Sequence, residues 1–151
     1  MKETYLETIL LIERLHRRLL DVIKTQLERL KVEDLNNVQT LILYNIGQEE
    51  LTVGELTNRG YYLGSNVSYN VKKLVENGYL IQERSAHDKR SVRVKVSRKG
   101  LDICEKVDVL YRQQVEKMEK ENIGPKNLAE ANKSLTSLER FWAEYMSDAY
   151  K

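Results

Sequence analysis

Apolar positions recur along this chain with two periods, and the change from one to the other marks its elements. Leu6, Ile9, Leu10, Leu19, Leu20, Ile23, Leu27 and Leu30 fall at helical spacing. They predict a long amphipathic helix over residues 3–31. Asp34 is placed to cap a second helix, which carries Leu35, Val38, Leu41, Ile42 and Ile46 and ends at Gly47. Thr52-Val53-Gly54-Glu55 fits a capping box, in which Thr52 accepts from the Glu55 amide and the Glu55 carboxylate reaches back. A short helix to about Arg59 follows, then a turn through Gly60-Tyr61-Tyr62-Leu63-Gly64. The next helix is predicted over residues 65–77, with Gly78 supplying the left-handed residue after its end.

Beyond Gly78 the period drops to two. Leu80 to Arg84 reads as a strand, and Ser85 to Ser91 as a polar turn. Val92-Arg93-Val94-Lys95-Val96 then alternates strictly, as a half-buried strand with its valines inward would. Ser97 is a good N-cap for a long helix bearing Leu101, Cys104, Val107, Tyr111, Val115 and Met118. Gly124-Pro125 breaks that helix. A last one carries Leu128, Ala131, Leu135, Leu138, Trp142, Tyr145 and Ala149 at alternating spacings of three and four, a coiled-coil-like seam. The order helix, strand, basic loop, strand is that of a winged helix-turn-helix. The expected fold class is therefore mainly α with a small β-wing (α+β), a single domain over residues 1–151. Residues 33–97 form the winged helix-turn-helix part, flanked by helices in 1–32 and 98–151. The flanking apolar stripes could be covered within one chain, but the central module is too small for three long helices. A second subunit is the favoured cover, C2 homodimers being the commonest oligomers.

Charge sharpens the picture. The whole chain carries only +2, yet residues 50–99 hold ten Lys/Arg against five Asp/Glu, and the remainder is net negative. A focused basic patch is the electrostatic footprint of a phosphate-backbone partner, although a solvated charged face would have the same composition. At about 100° per residue, Val67, Val71, Leu74 and Val75 share the inward side of the 65–77 helix. Ser65, Tyr69, Lys72 and Lys73 lie opposite, with Asn66, Ser68 and Asn70 at the margins. Amides, hydroxyls and lysines are the groups that read base edges and phosphates in a major groove. The wing adds Arg84, Asp88, Lys89, Arg90 and Arg93 as candidate DNA-contacting residues. Arg90 suits a narrow minor groove, where negative potential is concentrated, and Asp88 braces the loop by pairing with Arg90 or accepting backbone amides.

Other chemistry is poorly supplied. One cysteine excludes an internal disulfide and the multi-cysteine zinc patterns, and it is compatible with a reducing cytosol. Two histidines, no glycine-rich phosphate loop and no His-Glu-x-x-His pattern argue against an enzyme, a metal site or a bound cofactor. No apolar run is long enough for a signal peptide or membrane span, so a cytoplasmic protein without membrane attachment is expected.

Asp88-Lys89-Arg90-Ser91, followed by Val92 to Gly100, resembles the wing signature of the MarR family of bacterial transcription regulators: an Asp and an Arg two apart, a strand, then Leu-Thr-x-x-Gly. Val96 and Ser97 stand in for the Leu and Thr. Leu74-Val75-Glu76-Asn77-Gly78-Tyr79-Leu80 is similar to the end of the family's recognition helix, whereas the paired tyrosines Tyr61 and Tyr62 depart from its usual short polar turn. The resemblance implies a homodimer with intertwined terminal helices, bound to a pseudo-palindromic double-stranded DNA operator, most often as a repressor. It also implies release by a small aromatic or phenolic effector in a cleft beside the dimer helices, for which His16, Tyr44 and Cys104 are the candidates. Two rival readings remain at this point: a winged helix used only for protein–protein interaction, and a regulator that senses oxidants through Cys104.

Overall fold

A computed structural model describes residues 1–59, 64–84 and 91–149, with Gly64 and Ser65 described by backbone only. The elements are α1 (Lys2–Arg29), α2 (Asn37–Ile46), β1 (Glu50–Thr52), α3 (Val53–Asn58), α4 (Gly64–Glu76), β2 (Leu80–Arg84), β3 (Val92–Val96), α5 (Arg98–Lys120) and α6 (Pro125–Ala149). The chain forms two compact units, Met1–Leu110 and Tyr111–Lys151. No helix among the described residues is long and apolar enough to cross a membrane.

The first unit is built on a core that the periodicity anticipates. Ile23 and Leu27 of α1, Ile42, Leu43 and Ile46 of α2, Leu56 of α3, and Val67, Val71 and Leu74 of α4 are buried. The sheet closes one side of this core. β3 lies between β1 and β2 and is antiparallel to both, with Leu80 opposite Val96 and Leu51 opposite Val94. Val94 and Val96 point inward and Arg93 outward, as the alternation of β3 requires.

Three expectations are corrected. The cap of α2 is Asn36, not Asp34. The Asn36 carboxamide accepts from the Gln39 amide at 2.8 Å, and the Gln39 side chain accepts from the Asn36 amide at 3.1 Å, closing a full capping box. At Thr52 the bond from the Glu55 amide forms as expected, at 3.0 Å. β1 is absent from the sequence pattern, because three residues are too few to display a period and the strand exists only through its pairing with β3. On α5 the deepest residues are Ile103 and Val107, whereas Cys104 is half-buried and Val115 exposed.

Asp34 is occupied elsewhere, at the joint where α4, the sheet and α5 meet. The Tyr79 hydroxyl donates to Asp34 Oδ1 at 2.5 Å, Lys99 Nζ donates to Asp34 Oδ2 at 3.1 Å, and Asn77 Nδ2 donates to the Asp34 carbonyl at 3.1 Å. Lys99 also donates to the Asn77 carbonyl at 2.8 Å and sits 4.2 Å from the centroid of the Tyr79 ring. Gly78, at φ +80°, turns the chain out of α4. Ser97 caps α5 by accepting from the Gly100 amide at 3.2 Å, and its hydroxyl donates to the Gly78 carbonyl. Gly100 lets α5 start against this corner: a Cβ there would collide with the Tyr79 carbonyl oxygen and lie 2.5 Å from Val96 Cγ1.

The second unit is a helix corner. The end of α5 is closed by Ile123 N donating to the Met118 carbonyl and by Asn122 at φ +63°, and Asn127 Oδ1 accepts from the Gly124 amide at the start of α6. Among its described residues α6 buries none, and Leu128, Leu135, Phe141, Trp142, Tyr145 and Met146 are exposed.

Two outcomes are expected. Gly100→Ala should destabilise the fold by about 1–3 kcal/mol, because both obstructing groups are held by the sheet and the α4 corner. An unchanged midpoint of urea unfolding would sink that account. The second concerns pH. The Tyr79 hydroxyl above all, and with it Lys99, hold the Asp34 carboxyl below its ordinary value of 3.8 against the opposing effect of burial, which outweighs the Lys99 hydrogen bond taken singly. A lowered folded value means that the stabilisation is complete above about pH 4 and is lost as pH falls through the folded value. Tyr79→Phe should therefore be less stable than wild type at pH 7, and the gap should narrow between about pH 5 and pH 3. A gap that stays constant over that range would count against the bond.

Candidate nucleic-acid interface

The surface in question is made by α4 and the two strands that follow it. α4 divides cleanly. Val67, Val71 and Leu74 are buried and Val75 half-buried, while Asn66, Ser68, Tyr69 and Lys72 are exposed and Lys73 partly so. Tyr69 is 61% exposed, a large ring with little to cover it in the isolated chain. Lys73 reaches Glu76 at 3.5 Å, one turn on, and lies 6.0 Å from the centroid of the Tyr69 ring. An exposed pair of this kind contributes little and is readily exchanged for another anion.

A groove separates α4 from β2. Val53, Val71 and Val75 form its floor, and Ser68, Lys72, Glu76 and Gln82 its polar rim. It places Ser68 and Lys72 on the side of α4 that faces the sheet. Arg84 and Arg93 are exposed on β2 and β3. Arg93 stands opposite Glu83 in the strand register, and Lys95 pairs with Glu83 at 3.4 Å. Asp88, Lys89 and Arg90 lie outside the described residues, as do the Ser65 side chain and the turn carrying Tyr61 and Tyr62.

One candidate is placed differently from expectation. Asn70 is at the margin of the exposed face by helical spacing, but its side chain is turned inward: it is 8% exposed, and its Oδ1 accepts from Gln39 Nε2 at 3.1 Å. Its carboxamide oxygen is engaged by the protein, so that oxygen is not available to a base edge. Composition could not distinguish it from Asn66, since both are Asn on the same helix. No motif in the sequence marks Arg59, whose guanidinium grips the Glu49 carboxylate with bonds of 2.8 and 3.1 Å and ties the end of α3 to the segment before β1. That contact holds the Glu49 carboxyl below its ordinary range.

Of the three effector candidates, the structure brings two together. Tyr44 and Cys104 line one cavity of about 530 Å³ between the end of α2 and the start of α5, with Arg98, Asp102, Glu105 and Asp108. The Tyr44 hydroxyl donates to Asp108 Oδ1 at 2.5 Å. His16 is exposed on α1 and is not among the lining residues. Burial, and secondarily the Asp108 carboxylate, push the Cys104 thiol up to about 11. A thiol so disposed is almost wholly protonated near neutrality.

Comparison with known proteins follows the same lines. The chain is similar to the exopolysaccharide II synthesis transcriptional activator ExpG of Rhizobium meliloti (strain 1021), with 43% identity over 101 residues, covering 67% of this chain and 52% of ExpG. It thus spans about half the length of that relative. Among solved structures it is similar to FabT of Streptococcus pneumoniae in complex with DNA, at a TM-score of 0.74 and 20% identity, covering 93% of this chain and 99% of FabT. It is also similar to a mutant MarR of E. coli complexed with operator DNA, at a TM-score of 0.69 and 22% identity, covering 85% of this chain and 90% of that one. These two likenesses establish the winged-helix fold. The sequence of residues 33–91 matches the MarR family model, which places this winged-helix segment in the MarR family.

Proposed function

We propose that this protein is a sequence-specific, double-stranded-DNA-binding transcription regulator and not an enzyme, acting as a homodimer on a pseudo-palindromic operator. The observation that carries the reading is the division of α4: an apolar face locked into the core, and a face of amide, hydroxyl, phenol and ammonium groups left to solvent. Asn66, Ser68 and Tyr69, with Ser65, are assigned to base edges and sugar. Lys72 and Lys73 are assigned to phosphate or guanine. Arg84 and Arg93 would bind the flanking backbone, and the wing-tip residues Lys89 and Arg90, braced by Asp88, the minor groove. Winged-helix structures crystallised with DNA, FabT among them, lend this support.

The dimer reading rests on apolar surface. Leu6, Leu10, Leu11, Leu15 and Leu19 on α1, and the exposed apolar residues of α6 from Leu128 to Met146, are each 37% exposed or more. So much apolar surface on two long helices is costly in water and is relieved when a second copy covers it. In this reading residues 33–97 are the DNA-binding part, and 1–32 and 98–151 supply the dimer helices. Two copies would present their α4 helices about 34 Å apart, one turn of the duplex.

The sign of regulation depends on promoter geometry. ExpG is by name an activator, which gives the expected repressor role no backing from that relative. Whether a bound regulator represses or activates follows from where its site lies relative to the promoter. An effector could occupy the cavity beside Tyr44 and Cys104, but Asp102, Glu105 and Asp108 outnumber Arg98 there and oppose a phenolic carboxylate. The raised thiol of Cys104 likewise speaks against oxidant sensing.

Selection from a random duplex pool should return a pseudo-palindrome with half-sites one helical turn apart. Binding should weaken steeply with salt. The paired substitution Lys72→Ala/Lys73→Ala should lower the slope of log K against log salt by about 1 for each lysine that binds a phosphate. Arg90→Ala should cost about 1–3 kcal/mol in binding and leave dimerisation intact. If the wild-type chain enriched no duplex at moderate salt, the protein-interaction reading of the winged helix would replace this one. Charged substitutions at Leu138 and Trp142 should give monomers or insoluble protein on size-exclusion chromatography with light scattering. A stable dimer carrying both would remove α6 from the interface.

A further inference from the structure

The inward turn of Asn70 has a chemistry of its own. Gln39 and Asn70 are 7% and 8% exposed, so their amides meet in a place almost without water. The direction of the bond is fixed at its far end. Gln39 Oε1 accepts from the backbone amide of Asn36, a group that can only donate, so Gln39 must present Nε2 to Asn70 and Asn70 must answer with Oδ1. Asn36 Oδ1 in turn accepts from the Gln39 amide. The cap of α2 and the inner edge of α4 are thereby joined by one chain of directional bonds.

The rest of the inner α4 face lacks direction. Val67, Val71 and Leu74 are held by apolar contact, which depends on area and not on angle. Counting about 100° per residue, Leu74 and Val67 lie about 40° and 60° from Asn70 on the core side, and Asn66 and Lys73 about 40° and 60° on the solvent side. Asn70 thus stands on the line between the two faces. A rotation of α4 by about 30° would carry a side chain at the helix surface, about 5–6 Å from the axis, through roughly 3 Å, the length of a hydrogen bond. Apolar packing alone tolerates part of such a movement, whereas the Gln39–Asn70 bond does not.

We infer that Asn70 is a positioning residue for DNA recognition: its buried bond to Gln39 sets the rotation of α4 about its axis, and so the bases that Asn66, Tyr69 and Lys73 can reach. The inference rests on the DNA-binding reading above and assigns Asn70 a role in specificity without contact to DNA. Buried polar pairs are poor sources of net stability and are best explained where they select one arrangement among several.

The test uses the full chain as wild type, Asn70→Leu and the double variant Gln39→Met/Asn70→Leu, each put through selection from a random duplex pool, thermal unfolding and binding to a scrambled duplex. Asn70→Leu leaves Gln39 Nε2 buried without an acceptor and should lower the thermal midpoint. The double variant removes both side-chain amides and should recover part of that loss, the remainder being the Asn36 amide left without its Gln39 acceptor. In both variants the preference for the selected duplex over the scrambled one should fall about tenfold or more, the size of one misread base pair. The relaxation should spread over several positions of each half-site, while the scrambled-duplex affinity and its salt slope stay as in wild type. A double variant that regains discrimination along with its midpoint would reduce the bond to a structural one. Relaxation at a single base position would make Asn70 a direct base reader, and an unchanged motif would end the proposal outright. A wild-type chain that enriches no motif would bring down the DNA-binding reading, and this inference with it.

Discussion

The joint around Tyr79 is the constraint on which the arrangement of the first unit depends. There the end of α4, the start of β2 and the start of α5 pass within contact of one another. The Tyr79 carbonyl accepts from the Ser97 amide while its hydroxyl reaches Asp34, forty-five residues earlier. α5 can begin only because position 100 has no side chain. Lys99 closes the joint from outside, with one ammonium bonded to Asp34 and to the Asn77 carbonyl over the face of the Tyr79 ring. The segment between α1 and α2, the exit of α4 and the entry to α5 therefore share a single set of partners. A change in any one of them is felt by the helix that carries the exposed polar face.

How much of this was legible in the sequence depended on whether a residue answers to a period or to a partner. Val67, Val71 and Leu74, and Val94 and Val96, were readable because a buried face must repeat at 3.6 or at 2. The end of α4 and the start of α5 followed from Gly78 and the Ser97 cap, which act locally. Asp34 and Asn36 were not separable in this way. Both are good capping residues, and what decides between them is Tyr79 and Lys99, which arrive from far along the chain. Asn70 escaped the pattern for a related reason. Its neighbours in sequence mark it as surface, and only Gln39, a residue with no functional signature, draws it inward. β1 left no trace because a three-residue strand owes its existence to β3. The candidate site was thus legible as a surface, and illegible in the detail of which amide faces which way.

The two ends of the chain show the complementary case. Their apolar rows were plain in the sequence, yet α6 leaves its row uncovered among the described residues. Pattern reveals that a face must be covered and says nothing of what covers it. The proposed dimer supplies that cover with the chain's own counterpart, and it also explains why a small module bears helices of 28, 23 and 25 residues.

The order of the sheet, with β3 in the middle, leaves β1 and β2 with one unpaired margin each. Free strand margins are templates on which other chains can add, and proteins blunt them with shortness and charge. Both devices are present. β1 is three residues long, and β2 exposes Gln82, Glu83 and Arg84 in succession, with Ile81 as its one outward aliphatic residue. The open sheet beside the proposed DNA-binding surface thus carries its own guard against growth from strand to strand.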